Sequence, residues 1–284
     1  MTIETGIAIL SAAGLGLLGW ACGVHLGRQR RVSPLLFSLV IVLAWAAAWS
    51  LNGRLLWAYV LPWPEVIFWA NWMPAVLCFA AGLATAAPGL HRWHRPATVT
   101  LLCSLAIGFL LGPLARPWLA PTGVDAQALI GWRRGVCLQT HESSCGAASA
   151  ATLLAQYDVT VDEAEMIDVC FTSRLGTEPL GLYRGLAIEG SRHGLHPRPT
   201  VGNPHRWQDS GQLPNVAIVK ISSVGNGRFG RWFGAPDERH AVVVLRRLRG
   251  GGWLIGDPAV GLVRWSDREM QTRFTGEAIC LHRR

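Results

Sequence analysis

The stretch Q139-T-H-E-S-S-C145-G-A-A-S-A-A151 places a Cys-Gly pair directly before a run of small residues. Alanine is the strongest helix former, so the run from Cys145 to Tyr157 predicts a helix of about three turns. Ser143 or Ser144 is expected to cap this helix by accepting a backbone N–H. Cys145 then lies in the first turn, where unpaired N–H groups and the helix dipole favour a thiolate, the reactive form of cysteine. We therefore interpret Cys145 as a nucleophile.

The chain around this stretch has two parts of different composition. Its 284 residues are 50% hydrophobic and 15% charged, whereas a soluble domain usually carries about 25% charged residues. Residues 1–121 contain two acidic side chains and seven arginines, and residues 122–284 contain 16 acidic and 19 basic side chains. The pattern predicts a helical membrane domain over residues 1–121 and a soluble domain over residues 122–284.

The membrane part is expected to contain about four membrane-spanning helices, because a span needs roughly 20 apolar residues. Proline interrupts the aromatic stretch Leu55–Pro64, which suits the membrane interface; an alternative makes it part of a fifth, re-entrant segment. The first block is not read as a cleavable signal, because Glu4 stands where a basic residue is expected. The four apolar blocks are Gly6–Leu26, Pro34–Leu51, Glu65–Leu90 and Ala97–Leu114.

The arginines between these blocks predict an orientation. Cytoplasmic loops collect Lys and Arg. The loops Arg28–Arg31 and His91–Arg95 together carry five arginines, against two for Arg54 and Arg116 on the other side. With four spans, this balance favours both termini, and therefore the soluble domain, on the extracytoplasmic face.

A cysteine nucleophile needs a base, and the base needs a group that orients it. His240 stands at the head of a β-branched strand, and Asp257 ends the next apolar run, across a glycine-rich turn. The order Cys, His, Asp is the papain-like arrangement. A plain hairpin centred on Gly250–Gly252 would offset His240 from Asp257 by several residues. Either the turn around Pro258 bends back, or the register shifts.

The remaining residue patterns argue against other classes of function. Cys137, Cys170 and Cys280 show no CxxC spacing, so neither a zinc site nor a disulfide framework is expected. The basic run Arg246–Arg249 alternates with apolar residues and ends in glycines, which indicates a solvated hairpin. We therefore expect no metal, no cofactor and no nucleic acid.

Four motifs in this order resemble the C39 peptidase family, the double-glycine leader peptidases usually fused to bacteriocin-exporting ABC transporters. Gln139 lies six residues before the Cys145-Gly pair, His240 heads a hydrophobic strand, and Asp257 stands in a Gly-Asp-Pro turn. The stretch from Gly176 to His193 is similar to the family's helix and following strand. The resemblance covers roughly residues 135–281.

The resemblance implies an α+β papain-like cysteine peptidase domain with an antiparallel sheet. It implies that Cys145 is the nucleophile, that His240 is the general base and then acid, and that Asp257 holds the imidazole. The side chain of Gln139 and the backbone N–H of Cys145 would stabilise the oxyanion.

The sequence also departs from this family. Ser144 stands where the family has an aspartate before the nucleophile. No GxxxxGK[ST] motif occurs in the sequence, so no ATP-binding domain is expected, and four spans are fewer than an exporter half uses. The family works in the cytosol, which opposes the orientation that the arginines favour, so the side of the membrane stays open.

The sequence therefore predicts a cysteine peptidase tethered to the bacterial inner membrane. Its substrates would be peptides or precursor proteins, cleaved after a double-glycine-type site during bacteriocin or peptide processing. Its partners would be the lipid bilayer and a separate export system. Two alternatives stay open. One is a catalytically silent C39-like domain that binds peptides and assists export; the other is a papain-like amidase or acyl transferase.

Overall fold

The computed structural model describes residues 3–29, 34–86, 93–122, 131–221 and 238–283. The chain divides into two compact units. The first comprises Met1–Trp57 and Glu65–Ala115, and the second comprises Ala58–Pro64 and Arg116–Arg284.

The described residues up to 119 form six helices, with the bounds α1 Ile3–Gln29, α2 Pro34–Leu51, α3 Leu56–Val60, α4 Val66–Trp69, α5 Met73–Ala86 and α6 His94–Leu119. Among the described residues, three helical segments are long and apolar enough to cross a membrane: Ile3–Arg28, Val66–Thr85 and His94–Leu119. The second predicted block forms the 18-residue helix α2, which is not among these three. The described part of the chain therefore gives three candidate spans where the sequence predicts about four.

The third predicted block is not one continuous helix. It divides into α4 and α5, and the residues between them include Asn71, whose side-chain Nδ2 donates to the carbonyl of Phe109 at 2.7 Å. The Asn71 side chain at the break therefore has a hydrogen-bond partner on the neighbouring helix α6. Such partners on neighbouring helices allow a helix to be interrupted at membrane depth. The end of the predicted block, residues 87–90, lies outside the described residues.

Glycines allow α1 and α5 to pack closely. A Cβ atom at Gly23 would lie 2.3 Å from the carbonyl oxygen of Phe79, and one at Gly82 would lie 2.2 Å from that of Trp20. Only glycine fits at such distances, and small residues of this kind bring helices together in membranes through van der Waals contact.

The second unit contains a six-stranded sheet in the order β3-β8-β4-β5-β6-β7, in which all neighbouring strands are antiparallel. The predicted antiparallel sheet is therefore confirmed. Two short strands, β1 and β2, form a separate pair. The strand bounds are β1 Trp132–Arg133, β2 Val136–Cys137, β3 Leu195–Val201, β4 Asn215–Ile221, β5 Glu238–Arg247, β6 Trp253–Asp257, β7 Gly261–Trp265 and β8 Phe274–Arg283.

Four helices accompany this sheet: α7 Cys145–Ala155, α8 Glu163–Val169, α9 Pro179–Ser191 and α10 Asp267–Arg273. Helix α7 is buried from Gly146 to Leu154, because its small side chains let it approach the sheet closely. Elsewhere in the unit, Trp207, Trp253 and Trp265 form an apolar core cluster with valines of β5. The strand β5 is therefore held in the interior along its apolar stretch, which fixes the position of the residues at its start.

Candidate active site

Cys145 is the first residue of α7, as the sequence predicts. The backbone N–H of Cys145 makes no hydrogen bond to the described part of the protein. This is expected of the first turn of a helix, where N–H groups have no partner within the helix. The N-terminus of α7 therefore offers a free donor next to the Cys145 side chain.

The prediction that a serine side chain caps the N-terminus of α7 is wrong. Ser144 occupies the N-cap position but makes no side-chain cap hydrogen bond. Its backbone angles, φ −94° and ψ 9°, differ from the extended conformation that turns a cap hydroxyl into the first turn. The Ser144 hydroxyl donates instead to the His141 carbonyl at 2.8 Å and accepts the His141 N–H at 3.1 Å. The serine thus stabilises the loop before the helix.

Two contacts fix the start of α7 against its surroundings. The buried hydroxyl of Ser149 donates to the carbonyl of Ala241 at 2.9 Å, and Ala241 directly follows His240 on β5. A Cβ atom at Gly146 would lie 2.6 Å from the Cβ of Thr177. The residue after the cysteine must therefore be glycine for this close approach, which explains the Cys-Gly pair in the sequence.

A shift of register between β5 and β6 resolves how His240 meets Asp257. Arg246 pairs with Leu254, but Val244 pairs with Ile255, so Leu245 is an extra residue in a bulge. Continuing this register sets Asp257 opposite Val242, on the strand face that also carries His240. Without the bulge, Asp257 would oppose the next residue and point to the other face, because side chains alternate along a strand.

His240 and Asp257 are joined by a hydrogen bond. Nε2 of His240 lies 2.9 Å from Oδ1 of Asp257, and the two side chains are 8% and 13% exposed. The Ala259 N–H also donates to Oδ1 of Asp257 at 2.9 Å. The carboxylate is thus fixed from two sides, and Nδ1 is the ring nitrogen of His240 left for another partner.

The electrostatics of this pair favour a charged imidazole. Burial lowers the pKa of His240, but hydrogen bonds with Asp257 and with Cys145 outweigh burial and raise the pKa to about 9. Burial raises the pKa of Asp257, whereas hydrogen bonds from His240 and Ala259 lower it, and the net direction is below its usual value. At neutral pH, therefore, the imidazole is protonated between a carboxylate and the Cys145 side chain.

Gln139 lies beside the site but turns its amide into its own loop. Its Nε2 donates to the carbonyls of His141 at 3.0 Å and Glu142 at 3.3 Å. Its backbone N–H donates to the Pro258 carbonyl at 2.9 Å, which ties this loop to the turn after Asp257. Its Oε1 is buried with no partner in the described part of the chain. The predicted oxyanion role of Gln139 stays a prediction.

A cleft of about 450 Å³ opens at Cys145 and His240. Sequence reasoning missed several residues that line it, including His141, Arg174, Thr177 and Arg239. His141 stands inside the quoted stretch, between Gln139 and Cys145, and only this position pointed to the cleft. Thr177 and Arg239 stand next to motif residues but are not part of what the motifs specify.

The other cysteines of the soluble part are free thiols in buried positions. Burial is the main reason that the pKa rises to about 12 for Cys137, to about 12 for Cys170 and to about 11 for Cys280. These thiols are therefore protonated at neutral pH, and Cys145 differs from them in being partly exposed in a cleft. Among the described residues, no group of three His, Cys, Asp or Glu side chains is arranged to hold a metal ion.

No family model matches the chain, and no curated protein sequence matches it. Solved structures match about half of it. One is a double glycine motif protease from an AMS/PCAT transporter in complex with the leader peptide, 25% identical, which covers 51% of this chain and 89% of that chain at a TM-score of 0.40.

A second is the peptidase domain of Streptococcus ComA, a bi-functional ABC transporter involved in a quorum sensing pathway. It is 22% identical and covers 52% of this chain and 98% of that chain at a TM-score of 0.42. A third is the N-terminal peptidase C39 like domain of the toxin secretion ATP-binding protein from Vibrio parahaemolyticus. It is 11% identical and covers 51% of this chain and 100% of that chain at a TM-score of 0.37. Over about half its length, the chain is similar to the peptidase domains that its sequence motifs resemble.

Proposed function

We propose that this protein is a cysteine peptidase whose catalytic residues are Cys145, His240 and Asp257. The observation that carries the proposal is the hydrogen bond between His240 and Asp257 at 2.9 Å, beside a cysteine at a helix N-terminus. A structural cysteine needs neither a charged imidazole nor an open cleft. The three residues are far apart in the sequence and meet at one place, which a nucleophile with its base and orienting group requires.

In the proposed reaction, the Cys145 thiolate attacks the carbonyl carbon of the scissile peptide bond, and the carbonyl electron pair moves to oxygen. When the tetrahedral intermediate collapses, the C–N bond breaks and His240 donates its proton to the leaving amine. A water molecule then attacks the thioester, giving its proton to His240, and the C–S bond breaks to release the acid. Asp257 holds the imidazole in place throughout.

The oxyanion needs hydrogen-bond donors, and the Cys145 N–H is one. Gln139 is proposed as the other on the basis of its spacing from Cys145. To act in this way its amide must leave the carbonyls of His141 and Glu142, to which it donates in the structure. One such donor contributes on the order of 3 kcal/mol to the transition state.

The finer parts of the proposal concern substrate and location. We assign residues 1–121 to the membrane and residues 122–284 to the peptidase. With α2 as a fourth span, the arginine balance favours a peptidase on the extracytoplasmic side of the bacterial inner membrane. The resemblance to double-glycine leader peptidases implies a precursor peptide with a small residue pair before the cleavage site, delivered to or from a separate export system. The cleft volume of about 450 Å³ accommodates a few residues of an extended peptide.

The test uses the full chain in detergent and synthetic peptides with a Gly-Gly or a Leu-Leu pair at the scissile position. Mass spectrometry should detect cleavage after Gly-Gly by the wild type and none by Cys145→Ala. Iodoacetamide at neutral pH should modify Cys145 faster than Cys137, Cys170 and Cys280. Equal rates of modification at the four cysteines would show that Cys145 is not the nucleophile. A product in which the acyl group is transferred to an acceptor other than water would show that the protein is an acyl transferase and not a peptidase.

The orientation has its own experiment. Alkaline phosphatase fused after Arg284 should be active, because the enzyme folds only outside the cytoplasm. An inactive fusion, together with an active cytosolic reporter at the same point, would place the peptidase in the cytoplasm.

A further inference from the structure

The turn at one edge of the catalytic cleft is bonded to the end of a candidate membrane-spanning helix. The Arg174 N–H donates to the carbonyl of Ala120 at 2.9 Å, and the Arg116 guanidinium forms an ion pair with the carboxylate of Glu178. Arg174 and Glu178 line the cleft, and all four residues belong to the second compact unit. Two contacts therefore hold the edge of the cleft to residues 116–120.

Residues 116–120 are the place where the chain leaves the proposed bilayer. The candidate span ends at Leu119, and the Ala120 N–H donates to the Arg116 carbonyl at 2.9 Å, so helical bonding continues to Ala120. Trp118 and Leu119 are 87% and 83% exposed. Tryptophan is enriched at the membrane–water interface, and arginine near a helix end extends its charge to the headgroups. This last turn of α6 therefore suits the interfacial layer.

The turn that is bonded to this helix end carries an exposed leucine. Ser173 and Gly176 exchange backbone hydrogen bonds of 3.2 and 2.9 Å, and the Ser173 hydroxyl accepts the Leu175 N–H at 3.2 Å. Gly176 has a φ of +100°, which favours glycine and lets the chain reverse. Although the turn is fixed in this way, Leu175 is 80% exposed, and it lines the cleft. A leucine held in water gains nothing from burial, whereas the same side chain gains free energy in an apolar environment.

The bilayer surface is the partner that these observations favour. A single exposed leucine is common on protein surfaces, but Leu175 directly follows Arg174, which bonds to Ala120 next to the end of the span. The chain itself therefore brings this leucine to the lipid. The exposed side chain of Arg174 on the same turn suits anionic headgroups, which attract basic residues close to a membrane.

We propose that the catalytic cleft opens at the lipid surface, with Leu175 in contact with the interface, and that its substrates are peptides held there by an apolar anchor close to the scissile bond. This inference rests on the proposed peptidase function. The anchor stays in the bilayer while the peptide enters the cleft past Leu175 and presents its carbonyl carbon to Cys145. The distance between anchor and scissile bond then decides which precursors are cleaved, together with the residues at the bond.

The test uses the full chain in vesicles of phosphatidylcholine with phosphatidylglycerol. Its substrates are Gly-Gly peptides with a palmitoyl chain, placed at either end and separated from the scissile bond by about 3 or about 15 extended residues, which reach about 10 or about 50 Å. The wild type should cleave the short-spacer and long-spacer peptides with kcat/KM values within about threefold of each other. A cleft remote from the membrane would cleave only the long-spacer peptide, because a spacer that cannot span the distance gives an effective concentration near zero.

A longer α6 provides a variant in which the cleft is moved away from the lipid. A heptad of helix-forming residues that includes Glu and Lys, inserted between Ala115 and Arg116, raises the cleft by about 10 Å and turns it by only about 20°. It should lower kcat/KM for the short-spacer peptide on the order of 10-fold or more and leave the rates on the long-spacer peptide and on the peptide without a palmitoyl chain unchanged. The last of these rates shows that the peptidase is intact. The same heptad inserted after Asp125 is the matched control and should change no rate, because it leaves α6 and both contacts as they are.

A spin label at position 175 tests the lipid contact without turnover. Leu175→Cys is made in a chain with Cys22→Ser and Cys145→Ala, which removes the exposed thiol and the proposed nucleophile. Val260→Cys, on another exposed turn, is the control. The label at position 175 should be relaxed more by oxygen, which concentrates in lipid, than by a water-soluble nickel complex, and the label at position 260 should show the reverse. Equal behaviour of the two labels would overturn the lipid contact.

The outcomes also distinguish this inference from the proposed function. Cleavage of the soluble and long-spacer peptides that requires Cys145, without cleavage of the short-spacer peptide, would overturn the cleft at the lipid surface and leave the peptidase intact. Turnover that survives Cys145→Ala, or no cleavage of any peptide, would overturn the peptidase and with it the proposed substrates. The two spin labels would then decide the lipid contact alone.

Discussion

The catalytic cleft has two walls that are built in different ways. The loop wall, Gln139–Cys145, is held mainly by hydrogen bonds between residues two or three apart in the sequence, such as Gln139 with His141. Two longer-range bonds, from Gln139 to Pro258 and from Thr140 to Glu163, tie it to the rest of the unit. The strand wall, His240 and Asp257, joins residues 17 apart and depends on the pairing of β5 with β6. The strand wall carries shifted pKa values, whereas the loop wall offers uncharged N–H donors. The comparison teaches that, in the proposed mechanism, proton transfer and oxyanion stabilisation come from separate parts of the fold and can be changed separately.

The largest expected effect comes from removing Cys145, the nucleophile on which both walls are proposed to act. Cys145→Ala should lower peptide turnover on the order of 10⁴-fold or more, because neither wall has a nucleophile to activate. The helix should remain, since alanine suits a first-turn position, and circular dichroism with thermal unfolding checks this. Cys280→Ala removes a different thiol of the same unit and should retain turnover. Full turnover by folded Cys145→Ala would show that Cys145 is not the nucleophile and that neither wall has its proposed role.

His240→Ala should reduce turnover almost as severely, on the order of 10⁴-fold, because members of a catalytic unit are not additive. The double variant with Cys145→Ala should be no worse than either single one. This result is measured by kcat/KM with a fluorogenic peptide. His196→Ala, on the edge strand β3 and outside the cleft lining, is the control and should keep the wild-type rate. If His240→Ala keeps a near-wild-type rate, the base must be sought at His193 or His205, and the strand wall is no part of the mechanism.

The two walls also differ in how much of each is predictable from the sequence. Cys145, His240 and Asp257 are recognisable because their neighbours carry local signals: an alanine-rich helix, a β-branched strand and a Gly-Asp-Pro turn. In this chain, His240 and Asp257 reach the same face because Leu245 is left out of the pairing as a bulge, and no residue type marks that bulge. Register is decided by the packing of whole strands, so it is read only from the fold.

On the loop wall, the sequence does not predict which groups the side chains bind. The sequence predicts the start of α7 but assigns the serine hydroxyl to the helix, whereas Ser144 bonds to His141. Serine side chains reach several nearby backbone groups with similar energies, and local backbone angles decide between them. Gln139 is found by its spacing from Cys145, but the direction of its amide depends on the same loop angles.

Asp257→Asn should have a smaller effect on rate than His240→Ala and should move the pH profile. The pKa of His240 is about 9, raised above 6.5 by hydrogen bonds with Asp257 and Cys145 against the effect of burial. An imidazolium that protonates the leaving amine is lost as the pH rises through that pKa, so wild-type kcat/KM should fall on the alkaline side near pH 9. Removing the carboxylate lowers the pKa, so this fall should occur at lower pH in the variant.

The same pH profiles also test whether the two walls have different roles. A variant of the loop wall, Gln139→Ala, should lower kcat while the fall of its rate at alkaline pH stays near that of the wild type. An alkaline limb that is identical in Asp257→Asn and in the wild type would mean that the carboxylate does not set the charge on the imidazole.

The smallest expected effect tests the bulge. Deleting Leu245 removes the extra residue from β5 but leaves Val244 opposite Ile255 and Arg246 opposite Leu254. Asp257 therefore stays opposite Val242, on the face that carries His240. Turnover should remain within about tenfold of the wild type, which corresponds to about 1.4 kcal/mol in the transition state. Thermal unfolding measures any separate cost in stability from the loss of a half-buried leucine.

This deletion separates two roles that a bulge combines, the correction of register and an increase in local twist. If register alone brings Asp257 to His240, the deletion keeps both the rate and the alkaline limb near pH 9. If the folded variant instead loses activity and its alkaline limb moves to lower pH, as in Asp257→Asn, then the twist aims the carboxylate, and a straight ladder in the correct register does not suffice. The strand wall would then depend on the shape of β5 as well as on its pairing.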